Sequence, residues 1–201
     1  MKTELENLTI RIARPDDCAE EIANCIYLTD PNIYPAICSA PSDERWIEYI
    51  ALSLMQKNSI FSAQNIFVAE SDEKIVGICC YIRGGQGYTA ECEGARLCET
   101  DEFSLVKQGY FDPLIEENLT FSGHNITNLC VLPKYRERCV GRALMQEFVR
   151  CHGDEDIYLD VLADNPAAIS LYKKYGFSPL SYYNGFSPCG GVRCIHMIRK
   201  P

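Results

Sequence analysis

Four cations crowd one short stretch of this chain: Lys134, Arg136, Arg138 and Arg142, gathered around Gly141. Before them, Ile126, Leu129, Val131 and Leu132 read as an apolar strand, which Pro133 ends because proline lacks the N–H that a ladder requires. After them, Val140, Ala143, Leu144, Phe148 and Cys151 recur at steps of three and four, the apolar face of a helix. The stretch is therefore strand, basic turn, helix. A helix start presents unbonded N–H groups and a partial positive charge, so it can seat a phosphate. Gly141, having no side chain, would let a pyrophosphate come close to the backbone. An ordinary βα unit with a solvated basic turn is the alternative these residues alone leave open.

A second run lies downstream: Asn165-Pro166-Ala167-Ala168-Ile169-Ser170-Leu171-Tyr172, then Tyr175-Gly176-Phe177. With the basic turn, it resembles the GNAT superfamily of acyl-CoA-dependent N-acetyltransferases. That family's signature at the turn is Arg or Gln, two residues, Gly, one residue, then Gly or Ala. Here it is matched by Arg136-Glu137-Arg138-Cys139-Val140-Gly141, with Cys139 where the first glycine belongs. The resemblance is close from about Gly123 to Tyr182 and rests only on element order before that.

The resemblance implies an α/β (α+β) fold: one GNAT-like domain over residues 1–201, with an insertion at about 84–122. Its sheet would be mixed, mostly antiparallel, of about seven strands, with helices on both faces and splayed central strands. Acetyl-CoA would be the acyl donor, its pantetheine lying in the splay like an added strand. Backbone groups of Leu129 and Val131 would hold it, and an amide near Cys130 or Val131 would polarise the acyl carbonyl. The pyrophosphate would sit on the amides of Arg138, Cys139, Val140, Gly141, Arg142 and Ala143. Glu137 lies within this cradle, and Arg136, Arg138 and Arg142 supply counter-charge. Cys139 fits if its backbone is helical and its side chain points away; a positive φ there would be strained. Tyr172 matches the family tyrosine that protonates the departing thiolate. Asn165 would contact CoA or cap its helix.

The resemblance leaves the base open. The glutamate that several members carry on the central strand falls here on Asn125, which accepts no proton usefully. His124 adjoins it and titrates in a suitable range, so it is the catalytic candidate, although strand neighbours face opposite sides. A water chain to Glu91, Glu93 or Asp112 is an alternative; Cys130 as a covalent nucleophile is another, but no paired histidine is evident. The first helices and their connecting loop would wall the acceptor, making Asp30, Tyr34 and Trp46 substrate contacts. For the two aromatics, packing is the competing role. For Asp30, before Pro31, it is a turn.

At 201 residues the chain fits one domain with a sizeable core. With 47% hydrophobic and 23% charged residues, it is neither disordered nor fibrous. No apolar signal segment opens it and no run reaches the roughly 18–20 apolar residues of a membrane span, which implies a cytoplasmic protein with no membrane partner. In that reducing setting the twelve cysteines read as thiols rather than disulfides, with Cys18, Cys25, Cys130 and Cys151 as small core residues. No C-x-x-C or Cys/His zinc spacing occurs, so no metal site is expected. A net charge of −9 argues against nucleic acid and favours a cationic amine as acceptor.

Periodicity fills in the rest. Residues 8–14 read as a strand, Pro15-Asp16-Asp17 as a helix start, and Ser42 as the cap of a second helix marked by Ile47, Ile50, Ala51 and Leu54. Residues 65–70 and 74–83 form a hairpin, and Gly84-Gly85-Gln86-Gly87 a turn. The insertion, with a short helix around 103–108, would help cover the acceptor. A strand at 156–162, a helix at 166–175 ended by Gly176, and strands at 177–183 and 192–199 follow, the last two separated by an Asn184-Gly185 turn. The edge strand of that hairpin could pair two subunits as a homodimer. The expected function is N-acetyl transfer from acetyl-CoA to a primary amine of a small molecule or protein, by direct attack in a ternary complex. The alternative is a non-catalytic acyl-CoA-binding regulatory module.

Overall fold

Strands whose residues are buried on both faces lie at the centre of the molecule. In a computed structural model that describes residues 5, 7–29, 44–85, 121–185 and 192–201, only the two end residues of the strand Lys74–Arg83 are exposed. Such a strand must have a layer on each side. The elements that supply those layers run β1 (Thr9–Ile12), α1 (Ala19–Tyr27), α2 (Glu44–Met55), β2 (Ile66–Ser71), β3 (Lys74–Arg83), β4 (His124–Val131), α3 (Val140–His152), β5 (Ile157–Leu162), α4 (Pro166–Lys174), β6 (Ser178–Gly185) and β7 (Val192–Arg199). The seven strands form one sheet in the order β1-β2-β3-β4-β5-β7-β6. Neighbours are antiparallel throughout except β4 and β5, which are parallel.

Each face has its own core. On one, Ile22, Cys25 and Ile26 of α1 and Ile50 and Leu54 of α2 pack on Ile66, Val68, Ile78, Cys80 and Cys130. On the other, Val140, Leu144 and Phe148 of α3 and Tyr172 of α4 pack on Phe67, Val76, Ile126, Leu159 and Met197. Gly77 sets how closely α3 sits: a Cβ there would fall 2.7 Å from the Cys130 carbonyl oxygen and 3.3 Å from Leu144 and Val140 side-chain atoms. This is the mixed, mostly antiparallel α/β (α+β) sheet that the sequence implied.

Several local expectations are corrected. The first helix begins at Ala19, because the Asp17 carboxylate is committed elsewhere. It accepts the Arg14 N–H at 2.7 Å and pairs with Arg11 at 2.7 Å, while Arg11 also reaches Glu70 of β2 at 2.6 Å. Cys18 and Cys151 are exposed rather than core, and Met145 takes a buried place on α3. Asn184 and Gly185 are not a turn; they pair with Arg193 and Val192 and lengthen the final hairpin. All described cysteines are free thiols, and no group of three metal-binding side chains occurs among the described residues. Ser42, Asp30, Tyr34, Glu91, Glu93, Asp112 and the 103–108 segment lie outside the described residues, as does the side chain of Trp46. The Gly84 N–H bonds the Gly123 carbonyl at 2.9 Å, joining the chain on either side of the expected insertion.

Candidate active site

The parallel pairing of β4 and β5 is short. It consists of His124–Ile157, Asn125–Tyr158 and Ile126–Leu159, although β4 continues to Val131. Beyond Leu159, β5 pairs only with β7 among the described residues, through Asp160–His196, Val161–Ile195 and Leu162–Cys194. Where the two strands part, Thr127 bulges out of the β3–β4 ladder: Tyr81 pairs with Ile126 and Cys80 with Asn128. A bulge bends its strand and increases its twist, which turns β4 away from β5. It also inverts side-chain parity. His124 and Ile126 face α3, whereas after the bulge Leu129 and Val131 face α3 and Asn128 and Cys130 face α1. The Leu132 N–H bonds the Val76 carbonyl at 2.9 Å. By antiparallel alternation, Leu129 and Val131 then turn their backbone groups toward the open, β5 side.

The basic turn lies at the mouth of this split. Arg136 Nε donates to the Val131 carbonyl at 3.1 Å, and Lys134, Arg136, Arg138 and Arg142 are exposed around the start of α3. Glu137 and Cys139 are left-handed, at φ 64° and 65°. Of the two backbone conformations weighed for Cys139, the structure has the positive-φ one, in which glycine is unstrained and a cysteine is not. Cys139 gives α3 no side-chain cap, which leaves the first amides of the helix without a side-chain acceptor there. A Cβ on Gly141 would meet only Val131 Cγ2 at 3.6 Å and Leu171 Cδ2 at 3.7 Å, ordinary contacts. Packing therefore does not require a glycine there.

Tyr172 lies in the α3-side core, against which Leu129 and Val131 also pack. Asn165 Oδ1 accepts the Ala168 N–H at 3.1 Å, so the helix-capping role of Asn165 is realised, with Pro166 in the first turn. At the other end Gly176 has φ 87°, its N–H bonds Lys173 O at 3.2 Å, and the Phe177 N–H bonds Tyr172 O at 3.2 Å. This is a Schellman cap, and the Tyr172 and Phe177 rings make its apolar contact at 5.9 Å. The Tyr175 hydroxyl donates to the Arg142 carbonyl at 2.7 Å and ties α4 to the first turn of α3. Tyr172 is 7% exposed, and no described residue hydrogen-bonds its hydroxyl. Burial, and secondarily the Cys79 thiol, push its pKa up, and Cys79 is the ladder partner of Leu129. The phenol is thus protonated at neutral pH and lies near the strand residues that border the split.

His124 does not join this group. It opens β4, five residues before Leu129 and so roughly 17 Å away along the strand. Its ring packs 4.1 Å from that of His152 amid Phe67, Tyr81 and Phe148, and no described residue partners its Nδ1. Burial, then the neighbouring His152 and Arg83, lower its pKa to about 4 against a small opposing effect of Asp154. Asn128, after the bulge, donates to Thr29 Oγ1 at 2.8 Å. Cys130 is buried under α1 and takes a hydrogen bond from the Cys25 thiol, which lowers its pKa.

A pair of residues on the α1 side of the sheet escaped the sequence reading. Ile157, Leu159 and Val161 face α3, so Tyr158, Asp160 and Leu162 face the other way. There Asp160 Oδ1 lies 2.8 Å from His196 Nδ1, and the His196 ring stacks on Tyr158 at 5.7 Å and 16°. The hydrogen bond to Asp160 raises the His196 pKa, with partial burial opposing it. Strand alternation at residues 157–162 was the available signal; the β5–β7 register was not.

Residues 62–179 match the acetyltransferase (GNAT) domain family. The chain belongs to the GNAT acetyltransferase family. Among sequence relatives, it is 35% identical over 82 residues to an N-alpha-acetyltransferase of Sulfurisphaera tokodaii, covering 34% of this chain and 48% of that protein. It is 27% identical over 89 residues to the [ribosomal protein bS18]-alanine N-acetyltransferase of Escherichia coli, covering 43% and 60%. The matched segments thus span about half of those relatives' lengths. The fold of this GNAT chain is similar to that of an N-acetyltransferase from Staphylococcus aureus Mu50, with TM-score 0.68 and 18% identity over 94% of this chain and 99% of that one. No described helix of the GNAT chain is long and apolar enough to cross a membrane.

Proposed function

We propose that this protein transfers the acetyl group of acetyl-CoA to a primary amine by direct attack in a ternary complex. The observation that carries this is the end of the β4–β5 ladder at Ile126–Leu159, beside a basic turn and a buried tyrosine. Leu129 and Val131 offer backbone groups to the pantetheine, and an amide near Cys130 or Val131 polarises the acyl carbonyl. The first amides of α3 and the cations Arg136, Arg138 and Arg142 hold the diphosphate, and Gly141 leaves room for it. Acetyl-CoA supplies an activated thioester. Leu129, Val131 and the turn hold it still while the amine approaches from the α1 side, and such alignment contributes of order 7–11 kcal/mol. The Tyr172 hydroxyl then donates its proton as the thiolate leaves.

The acceptor is a primary amine of a small molecule or a protein. The names of the two relatives favour a protein α-amine. The net charge of −9 favours a cationic acceptor. Asp30, Tyr34 and Trp46 contact it, the 84–122 insertion covers it, and residues 1–201 act as one domain in the cytoplasm. Edge strand β6, with exposed Leu180 and Tyr182, is where two copies would pair.

The strained Cys139 favours one second reading, an acyl-CoA-binding regulatory module. Incubation with acetyl-CoA and an amine library, read by release of free thiol, separates the two. Turnover with at least one amine is expected. Tight binding without turnover would leave the regulatory module.

A further inference from the structure

The chain carries three histidines. Two of them, His124 and His152, pack against each other with tilted rings within a buried aromatic cluster. The third, His196, lies on the sheet face to which Asn128 and Cys130 also turn, the α1 side. Its partner Asp160 is the first residue of β5 beyond the last pair with β4, so the dyad begins where the cleft opens. Asn125 and Asn128, the polar side chains of β4 on this face, cannot take up a proton at neutral pH.

We propose that His196 is the base that deprotonates the acceptor ammonium, and that Asp160 is its positioning residue. The proposal rests on the transferase function above. Because Nδ1 faces the Asp160 carboxylate, the neutral ring carries its hydrogen there and keeps its lone pair on Nε2. The ring is fixed in plane by Tyr158. Asp160 and Tyr158 of β5 face the ring and Ser181 of β6 is its ladder partner; on the same face Tyr183 of β6 hydrogen-bonds Asp160 and Cys194, so Asp160 is the titratable group that acts on His196 directly. His196 is a quarter exposed, so the proton can pass directly or through one water.

The proton count closes. Nε2 takes one proton from R–NH3+ and becomes imidazolium beside Asp160. The freed nitrogen lone pair forms the C–N bond and the C–S bond breaks. Tyr172 protonates the sulfur and recovers a proton as the amide nitrogen loses its second one. The imidazolium then returns its proton to solvent, so each turnover yields one amide, one thiol and one free proton.

The test is a pH profile of kcat/KM for the acceptor, with acetyl-CoA saturating, in wild type, His196→Gln and Asp160→Asn, alongside NMR titration of the imidazoles and calorimetric titration of acetyl-CoA binding. The wild-type acid limb should follow the NMR titration of His196. His196→Gln should lose about 100-fold at pH 7 and lose that limb, with acetyl-CoA affinity within twofold. Asp160→Asn should keep a limb but move it, and the His196 titration, to lower pH. A His196→Gln enzyme within threefold of wild type that retains the limb overturns the assignment of the base alone. A wild type that binds acetyl-CoA but turns over no amine overturns the transferase function, and the base with it.

Discussion

Ile126 and Leu159 are the last residues that β4 and β5 share, and Thr127, next along β4, is the one that bulges from the ladder with β3. The bulge and the split are one event. An extra residue on β4 turns the strand away from its parallel neighbour, turns the Leu129 and Val131 backbone groups to that side, where the Val131 carbonyl meets Arg136, and sends Asn128 and Cys130 toward α1. From this follows the gap between the two strands that the proposed function assigns to the thioester.

Gly141 should matter to the ligand and not to the fold. A methyl group there meets neighbours at 3.6 and 3.7 Å inside the first turn of α3, so Gly141→Ala should leave the fold intact and raise its stability by about 0.4–1 kcal/mol through the lost freedom of the unfolded chain. It should nevertheless weaken acetyl-CoA binding about tenfold, roughly 1.4 kcal/mol. Urea denaturation and calorimetric titration check the two halves, and equal affinity would remove the close backbone approach.

Cys139 should behave oppositely. A left-handed non-glycine residue costs about 1–2 kcal/mol, of which glycine's extra freedom in the unfolded chain offsets roughly 0.5–1. Cys139→Gly should therefore stabilise the protein by about 0.5–1 kcal/mol, visible as a higher urea midpoint at unchanged slope. A destabilised variant would mean that the thiol makes a compensating contact.

Tyr172 has a structural and a chemical role that different substitutions separate. Tyr172→Phe keeps the ring contact with Phe177 and the backbone cap, so stability and acetyl-CoA affinity should hold while kcat falls about 100-fold. Tyr172→Ala should lose both activity and about 3–5 kcal/mol of stability. Full turnover in the Phe variant would take the phenol out of the reaction.

The His124–His152 pair makes the fold acid-sensitive. The folded pKa of His124 is about 4 and its unfolded value 6.5, so between them the unfolded chain binds more protons. Stability is then full above pH 6.5 and declines as pH falls toward 4, by at most about 3 kcal/mol. His152, also lowered by burial, adds in the same direction. His124→Leu should flatten the decline in urea midpoints measured from pH 7 to pH 4; an unchanged slope would place the acid sensitivity elsewhere.

Local patterns were legible in the sequence because they are local. Asn165 as a cap, Gly176 as a left-handed stop and Lys74–Arg83 as a strand each depend on neighbours a few residues away. The apolar spacing of β4 even held a trace of the bulge, since Ile126 and Leu129 differ in parity yet face the same core. What the sequence could not supply were relations across the sheet. The Asp160–His196 pair joins residues 36 apart through strand register, and Asp17 left the helix start for Arg11, which also pairs with Glu70 of β2, because of tertiary charge pairing. The packing of His124 against His152 was equally illegible, because the environment of a side chain cannot be read from its neighbour.

Amide hydrogen exchange of the strand and turn, followed by mass spectrometry with and without acetyl-CoA, tests the split between β4 and β5 most directly. Slowed exchange confined to residues 127–131 and 138–143, with 157–162 little changed on its β7-paired side, is the predicted result. Exchange at 127–131 that is unaltered by saturating acetyl-CoA would contradict the cleft as its seat.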